Sequence, residues 1–338
     1  MLSIVKFFGA SVLVTLGALG AVYYYLGIQA FLTAALLVIL EVTLSFDNAV
    51  VNARVLEKMS PKWQKRFLTW GILIAVFGTR IFLPIFIVSA VVWASPLFIA
   101  HIAFFDPAHY GELLEGAAAG IHAFGATFLL LVALKYFLDE NKKTHWIQFI
   151  ERHLISWGRI EAIEITLALL AVAGVSYFVP AAEQATVLIA GIAGILVFIG
   201  MQALTSAFTV ETKTTVNASF ALFMYLEVLD TAFSLDGVIG AFALTSAIPV
   251  IAVGLGVGAY FVRSLTIYMV KQKTLDTLVY LEHGAHWAIF GLAASMLVSL
   301  LTDVPEVVTG TVGLVFVVAA YYSSLRFNKN NSSHSLPA

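Results

Sequence analysis

Five carboxylates stand where a bilayer makes them expensive: Glu41, Asp47, Glu227, Asp230 and Asp236 all fall inside long apolar runs. A charged side chain at the middle of a spanning helix costs about 2.5–3.5 kcal/mol on insertion scales, so the five together cost roughly 12–17 kcal/mol unless something compensates them. Arg80 and Arg263 sit in neighbouring runs and are the natural partners, expected to tune the acids and hold an ion-free site together, yet two cations do not neutralise five acids. Carboxylates with an amide such as Asn48, freed backbone carbonyls and water make an all-oxygen ligand set, which suits hard ions such as Mg²⁺, Ca²⁺ and Mn²⁺. Zinc and copper sites draw on Cys or several His; the chain has no cysteine, and the acid-bearing runs have no histidine. This chemistry points to a hard divalent cation and leaves manganese, magnesium and calcium unseparated.

The spacing of the acids constrains the helices that carry them. Glu227 and Asp230 share one face of a helix, since residues three apart are neighbours there. Glu41 and Asp47, like Asp230 and Asp236, are six apart, which is about 120° round the axis and about 9 Å along it. One straight helix does not aim both members of such a pair at one point. Either the helix breaks near Ser45–Asn48 and Ser234–Gly237, or the two acids serve different positions along a path.

The acid motifs repeat. LEVTLSFDNAVV (40–51) aligns with LDTAFSLDGVIG (229–240), pairing Glu41 with Asp230, Ser45 with Ser234, Asp47 with Asp236 and Asn48 with Gly237. The next runs carry Arg80 and Arg263, and the runs after those carry Gly120-x-His122 and Gly284-x-His286. The two histidines read either as proton or metal relays or as interhelical hydrogen-bonding groups.

The elements that must hold these residues are membrane spans. Of 338 residues 61% are hydrophobic and 11% charged, with a mean hydropathy of +0.96, far from the composition of a soluble domain. A span needs about 20 apolar residues, and ten are predicted: 5–26, 29–55, 67–92, 116–138, 161–179, 185–208, 218–246, 250–270, 284–301 and 307–325. Lys6 and the apolar run after it resemble a signal peptide, but the next run follows at once and the topology uses this segment, so it is expected to stay as the first span. Segment 95–115 reads as an apolar loop at the interface, and Asp106, His109 and Glu112 in it as ordinary loop residues. Lysines and arginines orient the spans: Lys58, Lys62, Lys65, Arg66, Lys142, Lys143, Arg152, Arg159, Lys213, Lys271, Lys273, Arg326 and Lys329 fall on one side if both termini are cytoplasmic. The span with Glu41 then runs inward and the span with Asp230 outward. The fold expected is an all-α membrane protein of about ten transmembrane helices with an inverted internal repeat, a transporter architecture with its site near the midplane. Residues 1–179 form the first repeat, 180–325 the inverted second and 326–338 a disordered cytoplasmic tail. A helix at 145–160 is expected on the cytoplasmic surface, turning Trp146, Phe149, Ile150 and Trp157 to lipid.

Glu41-x3-Ser45-x-Asp47-Asn48 and Glu227-x2-Asp230-x2-Phe233-Ser234-x-Asp236 resemble the two signatures of the TerC integral membrane family, within the LysE-like transporter group. The resemblance covers most spans and implies export of Mn²⁺, with Glu41, Asp47, Asn48, Glu227, Asp230 and Asp236 as the metal-binding set and Arg80, Arg263, His122 and His286 in support. Gly237, where Ser or Asn is expected, and the long 139–160 connection mark a divergent branch.

The function expected is a multi-pass transporter of the bacterial inner membrane, not an enzyme and without a prosthetic group, whose partners are the metal ion and the lipid bilayer. A homo-oligomer stays open, and a net charge of −2 gives no reason to expect nucleic acid. Two other classes compete: a structural, assembly or tellurite-resistance membrane protein, for which a symmetric acid cluster is unnecessary, and an intramembrane aspartyl protease using Asp47 and Asp236, which leaves the other acids unexplained.

Overall fold

The structure, a computed structural model, describes residues 2–140, 142, 144–160, 162–210, 215–302 and 304–334. The side chains of 2–6, 208–210, 215–217, 235, 236, 243, 306, 307, 309, 310 and 330–334 are outside the description. Lys143 and Lys213, used above for orientation, and the side chain of Asp236 therefore lie outside the described residues.

Every regular element among the described residues is helical. α1 (Leu2–Leu44) is two helices meeting at Gly27, whose φ of 85° and ψ of −178° interrupt the helix. A side chain would strain that φ, so glycine fits the junction. The chain reverses there. Before Gly27, Phe7 and Phe8 meet Tyr268, and the Ser11 and Ser264 hydroxyls are 2.7 Å apart. After it, Leu37 lies against Gly254 and Glu41 against Gly258. The first arm is thus antiparallel, and the second parallel, to the helix carrying residues 254–268. α2 (Phe46–Leu56) starts after a single non-helical residue, Ser45 (φ −96°, ψ 16°).

α3 (Pro61–Arg66) leads through two π-helical stretches, Phe67–Gly71 and Ile74–Phe82, into α4 (Leu83–Val91). Pro84 has no N–H to give to the ladder before it, which favours a slipped register upstream. The expected loop at 95–115 is instead a pair of short helices, α5 (Pro96–Phe105) and α6 (Pro107–Gly116), capped by Ser95 on the Phe98 N–H and Asp106 on the His109 N–H. Then come α7 (Ala118–Phe137), α8 (Gln148–Trp157), α9 (Ile163–Phe178), α10 (Gln184–Val210), α11 (Thr215–Leu244), α12 (Ile248–Lys271), α13 (Thr274–Thr277), α14 (Leu281–Ser299) and α15 (Glu306–His334). α15 enters the segment expected to be a tail and reaches His334.

Five described helical stretches are long and apolar enough to cross a membrane: Phe7–Leu44, Ile74–Val91, Ala118–Phe137, Gln184–Ala207 and Ile248–Lys271. Ile163–Phe178 is also apolar but brief, at 16 residues. Leu13, Ile39, Phe82, Ile189 and Leu196 are exposed on the outside of the bundle, an apolar surface suited to lipid rather than water. α7 and α14 share the largest core cluster, and α1 packs chiefly on α12. Gly125 meets Met296 while Phe137 meets Trp287, so α7 and α14 run antiparallel.

Candidate functional site

Glu41 ends the second arm of α1, one turn before the Ser45 break. It is buried, accepts the Ser45 hydroxyl at 3.2 Å and pairs with the Arg80 guanidinium. The π-helical turn around Arg80 supports this pairing: the Ala75 carbonyl accepts both the Thr79 hydroxyl (2.6 Å) and Arg80 Nη1 (2.7 Å), which steadies the guanidinium inside the bundle. Gly258 of α12 permits the approach, because a Cβ there would lie 2.4 Å from Glu41 Cγ.

The second half makes the corresponding pair. Glu227 and Asp230, one turn apart on α11, both face Arg263 of α12. Arg263 Nη1 donates to Glu227 Oε1 at 3.3 Å, and Nη2 donates to Glu227 Oε2 at 3.2 Å and Asp230 Oδ2 at 3.0 Å. The guanidinium also donates to the Phe67 carbonyl and lies 4.2 Å over the Phe67 ring. Gly71 opposite has no room for a side chain: a Cβ would sit 2.6 Å from Glu227 Oε1 and 2.5 Å from Arg263 Nη1.

Asn48, in the first turn of α2, joins the halves by donating from Nδ2 to Asp230 Oδ1 at 2.7 Å. Glu41, Asn48, Glu227, Asp230, Arg80 and Arg263 are all buried, so three of the five acids share two arginines. Asp47 points elsewhere. Its Oδ1 takes the Asn48 N–H at 2.9 Å, while a Cβ on Gly313 of α15 would lie 3.9 Å from its Oδ2. No cation pairs with it among the described residues. The helix thus breaks at Ser45, and even so Glu41 and Asp47 serve different neighbours. At the other motif α11 passes through Ser234–Gly237 without interruption, so no second break accompanies the first. Gly237 leaves space beside Glu41, with a Cβ 3.5 Å from Oε2. Among the described residues, no three acid or histidine side chains converge as a ready-made metal cage; the arginines hold the carboxylates instead.

The two histidines are not brought together. His122 lies near the start of α7 and His286 near the start of the antiparallel α14, at opposite ends of the pair. His286 bonds the Glu282 carbonyl at 2.8 Å and stacks on Tyr136 at 3.6 Å.

Sequence reasoning missed a second polar centre. Glu151 of α8 is fully buried and accepts from Lys142 Nζ (3.0 Å), Trp287 Nε1 (3.2 Å) and the Trp146 and Ile147 N–H groups, with His283 Nδ1 at 3.0 Å. Burial alone would raise its pKa; the His283 hydrogen bond and charge, then Lys142, outweigh that and bring it from 4.5 down to about 2. The same centre corrects the expectation for Trp146, which packs against the core because its N–H turns in to Glu151, while Phe149, Ile150 and Trp157 are exposed. An acid inside an amphipathic helix, preceded by a lysine, was the available signal.

Long apolar helices with buried acid–arginine pairs at their centre define an all-α, multi-pass integral membrane protein. The chain belongs to the DUF475 family, described as proteins of unknown function, whose match spans residues 46–331. No curated protein and no solved structure matches it.

Proposed function

We propose that the protein exports a hard divalent cation, Mn²⁺, across the bacterial inner membrane through a carboxylate site between two inverted repeats. The observation that carries this is the same buried acid–arginine pair at aligned positions of both halves, Glu41–Arg80 and Asp230–Arg263. The resemblance to TerC proteins supplies the ion and the direction. The helix directions support the topology behind it. The second arm of α1 is parallel to α12, and α7 is antiparallel to α14, as ten spans with cytoplasmic termini require. Cysteine labelling at positions 142 and 213 is expected to find both on the cytoplasmic side; opposite sides would remove the inverted repeat.

The chemistry is an exchange. In the ion-free protein Arg263 holds Glu227 and Asp230, and Arg80 holds Glu41. An entering divalent ion competes with the guanidinium groups for the same oxygens, so binding and a rearrangement of the arginines are one event. Ion entry also displaces any protons on the acids, so affinity is expected to fall as pH drops. Flux into proteoliposomes, scanned over Mn²⁺, Mg²⁺, Ca²⁺ and Zn²⁺ at several pH values, tests the assignment. If Mn²⁺ neither moves nor competes with a moving ion, manganese is the wrong ion. Asp47→Asn and Asp236→Asn are each expected to abolish flux while the protein still inserts, because each removes a hard ligand and a unit of charge. Retained flux in both would make these acids structural.

A further inference from the structure

Asn52 lies one turn beyond Asn48 on α2. It is 2% exposed, and among the described residues its Oδ1 accepts no hydrogen bond. The Oδ1 of Asn48 is equally buried and equally unpartnered there, although Asn48 Nδ2 is fixed to Asp230. Buried amide oxygens are nearly always satisfied, and two left over on one helix face need an explanation.

The pairing of α2 with α11 gives one. Asn48 meets Asp230, Leu56 shares a cluster with Phe223, and the Ser60 N–H just past α2 donates to Ser219 Oγ at 2.9 Å. Moving forward along α2 therefore moves backward along α11, and Asn52 comes level with Leu226 and Glu227. Two amides on α2 thus stand opposite two carboxylates on α11, with the amides about 6 Å apart along the axis and the acids about 4.5 Å. The whole ladder is buried, all its acceptors are hard oxygens, and the cation on its carboxylates is Arg263.

We propose that Asn52 is a cation ligand, forming with Asn48, Glu227 and Asp230 an oxygen ladder between α2 and α11 that takes a hard divalent ion when Arg263 withdraws. The inference deepens the transport reading and rests on it for the chemical class of the ion. The ladder adds Asn52 to the set expected from the acid motifs, while Glu41 and Asp47, which face other neighbours, serve another position along the ion's path. Amide oxygens beside carboxylates lower the charge of the site, so it holds a divalent ion without trapping it.

The test measures Mn²⁺ binding to the detergent-purified full chain, alongside flux in liposomes, for wild type, Asn52→Ala and Asn52→Asp. Asn52→Ala is expected to weaken binding by roughly tenfold or more, the factor that goes with losing one polar contact to a charge. Its melting temperature without metal should not fall, because the lost oxygen had no partner. Asn52→Asp keeps an oxygen ligand and is expected to keep binding, with a steeper dependence on pH. Binding by Asn52→Ala within about twofold of wild type overturns the inference, as does a weakened binding matched by a lower metal-free melting temperature. If wild type binds Mn²⁺ without moving it, the transporter reading falls while the ligand assignment is decided by the binding data alone. If wild type binds none of Mn²⁺, Mg²⁺ and Ca²⁺, both fall.

Discussion

Glu151→Ala is expected to destabilise the protein by about 3–5 kcal/mol, the loss that follows when one member of a buried charge network is removed and the others stay behind. Glu151 is fully buried between Lys142, whose side chain is 7% exposed, and His283, at 1%. Without the carboxylate, Lys142, the Trp287 indole N–H and the N–H groups of Trp146 and Ile147 lose an acceptor together. Thr144 adds a contact with His283 Nε2 at 3.1 Å to the fold-back of the 139–147 connection onto α14. Thermal melting in detergent measures the effect, and Glu151→Gln, which keeps one oxygen acceptor, should lie between alanine and wild type. The pH dependence has a definite sign. A carboxyl held at about 2 against 4.5 when unfolded stabilises the fold above the unfolded value and loses that contribution as pH falls through the folded one. The gap between wild type and Glu151→Ala should therefore narrow as pH falls below about 4.5. A deficit under about 1 kcal/mol would mean that water reaches these groups.

What was legible in the sequence was what insertion energetics enforces. Carboxylates inside apolar runs stand out because every such residue is costly, and their partners are limited to the few cations at the same depth, so Arg80 and Arg263 were identifiable as partner types. The angular offset between Glu41 and Asp47 left two alternatives, a break near Ser45 or separate positions for the two acids, and the structure has both features. At Ser234–Gly237 the same offset goes with no break: α11 stays continuous and Gly237 makes room beside Glu41. A glycine in a helix has two uses, and one sequence does not separate them. The π-helical turns around Arg80 were invisible because their residues have ordinary helix preferences; what distinguishes them is a hydrogen-bond register set by Pro84 and by the tertiary pull on Arg80. In the sequence Asn52 is one polar residue in a half-apolar helix, and its meaning depends on the pairing of α2 with α11. Glu151 depends on His283, 132 residues away, a proximity that only the folded bundle creates.

Arg263→Leu is the other substitution with a large expected effect, and its partners make the reason testable. Arg263 is 2% exposed and is the cation shared by Glu227 and Asp230. Removing it leaves two carboxylates, one turn apart, facing each other inside the bundle. The expected loss is again about 3–5 kcal/mol, because the penalty of an uncompensated buried charge exceeds the value of the pair itself. The variant relieves part of that by taking up protons, so its melting temperature should rise as pH is lowered, where the wild type gains nothing comparable. Converting both acids as well, in Arg263→Leu combined with Glu227→Gln and Asp230→Asn, removes every stranded charge and should restore most of the stability. It should not restore flux, since the hard ligands are gone. Stability and transport then separate: stability requires that the charges balance, whereas transport requires that the carboxylates be present and released by the guanidinium on demand. Melting curves of the single and triple variants, read beside Mn²⁺ flux, check both halves. If Arg263→Leu alone melts like wild type at neutral pH, the two acids are already neutral in the ion-free protein, and the competition between guanidinium and metal proposed for this site does not occur.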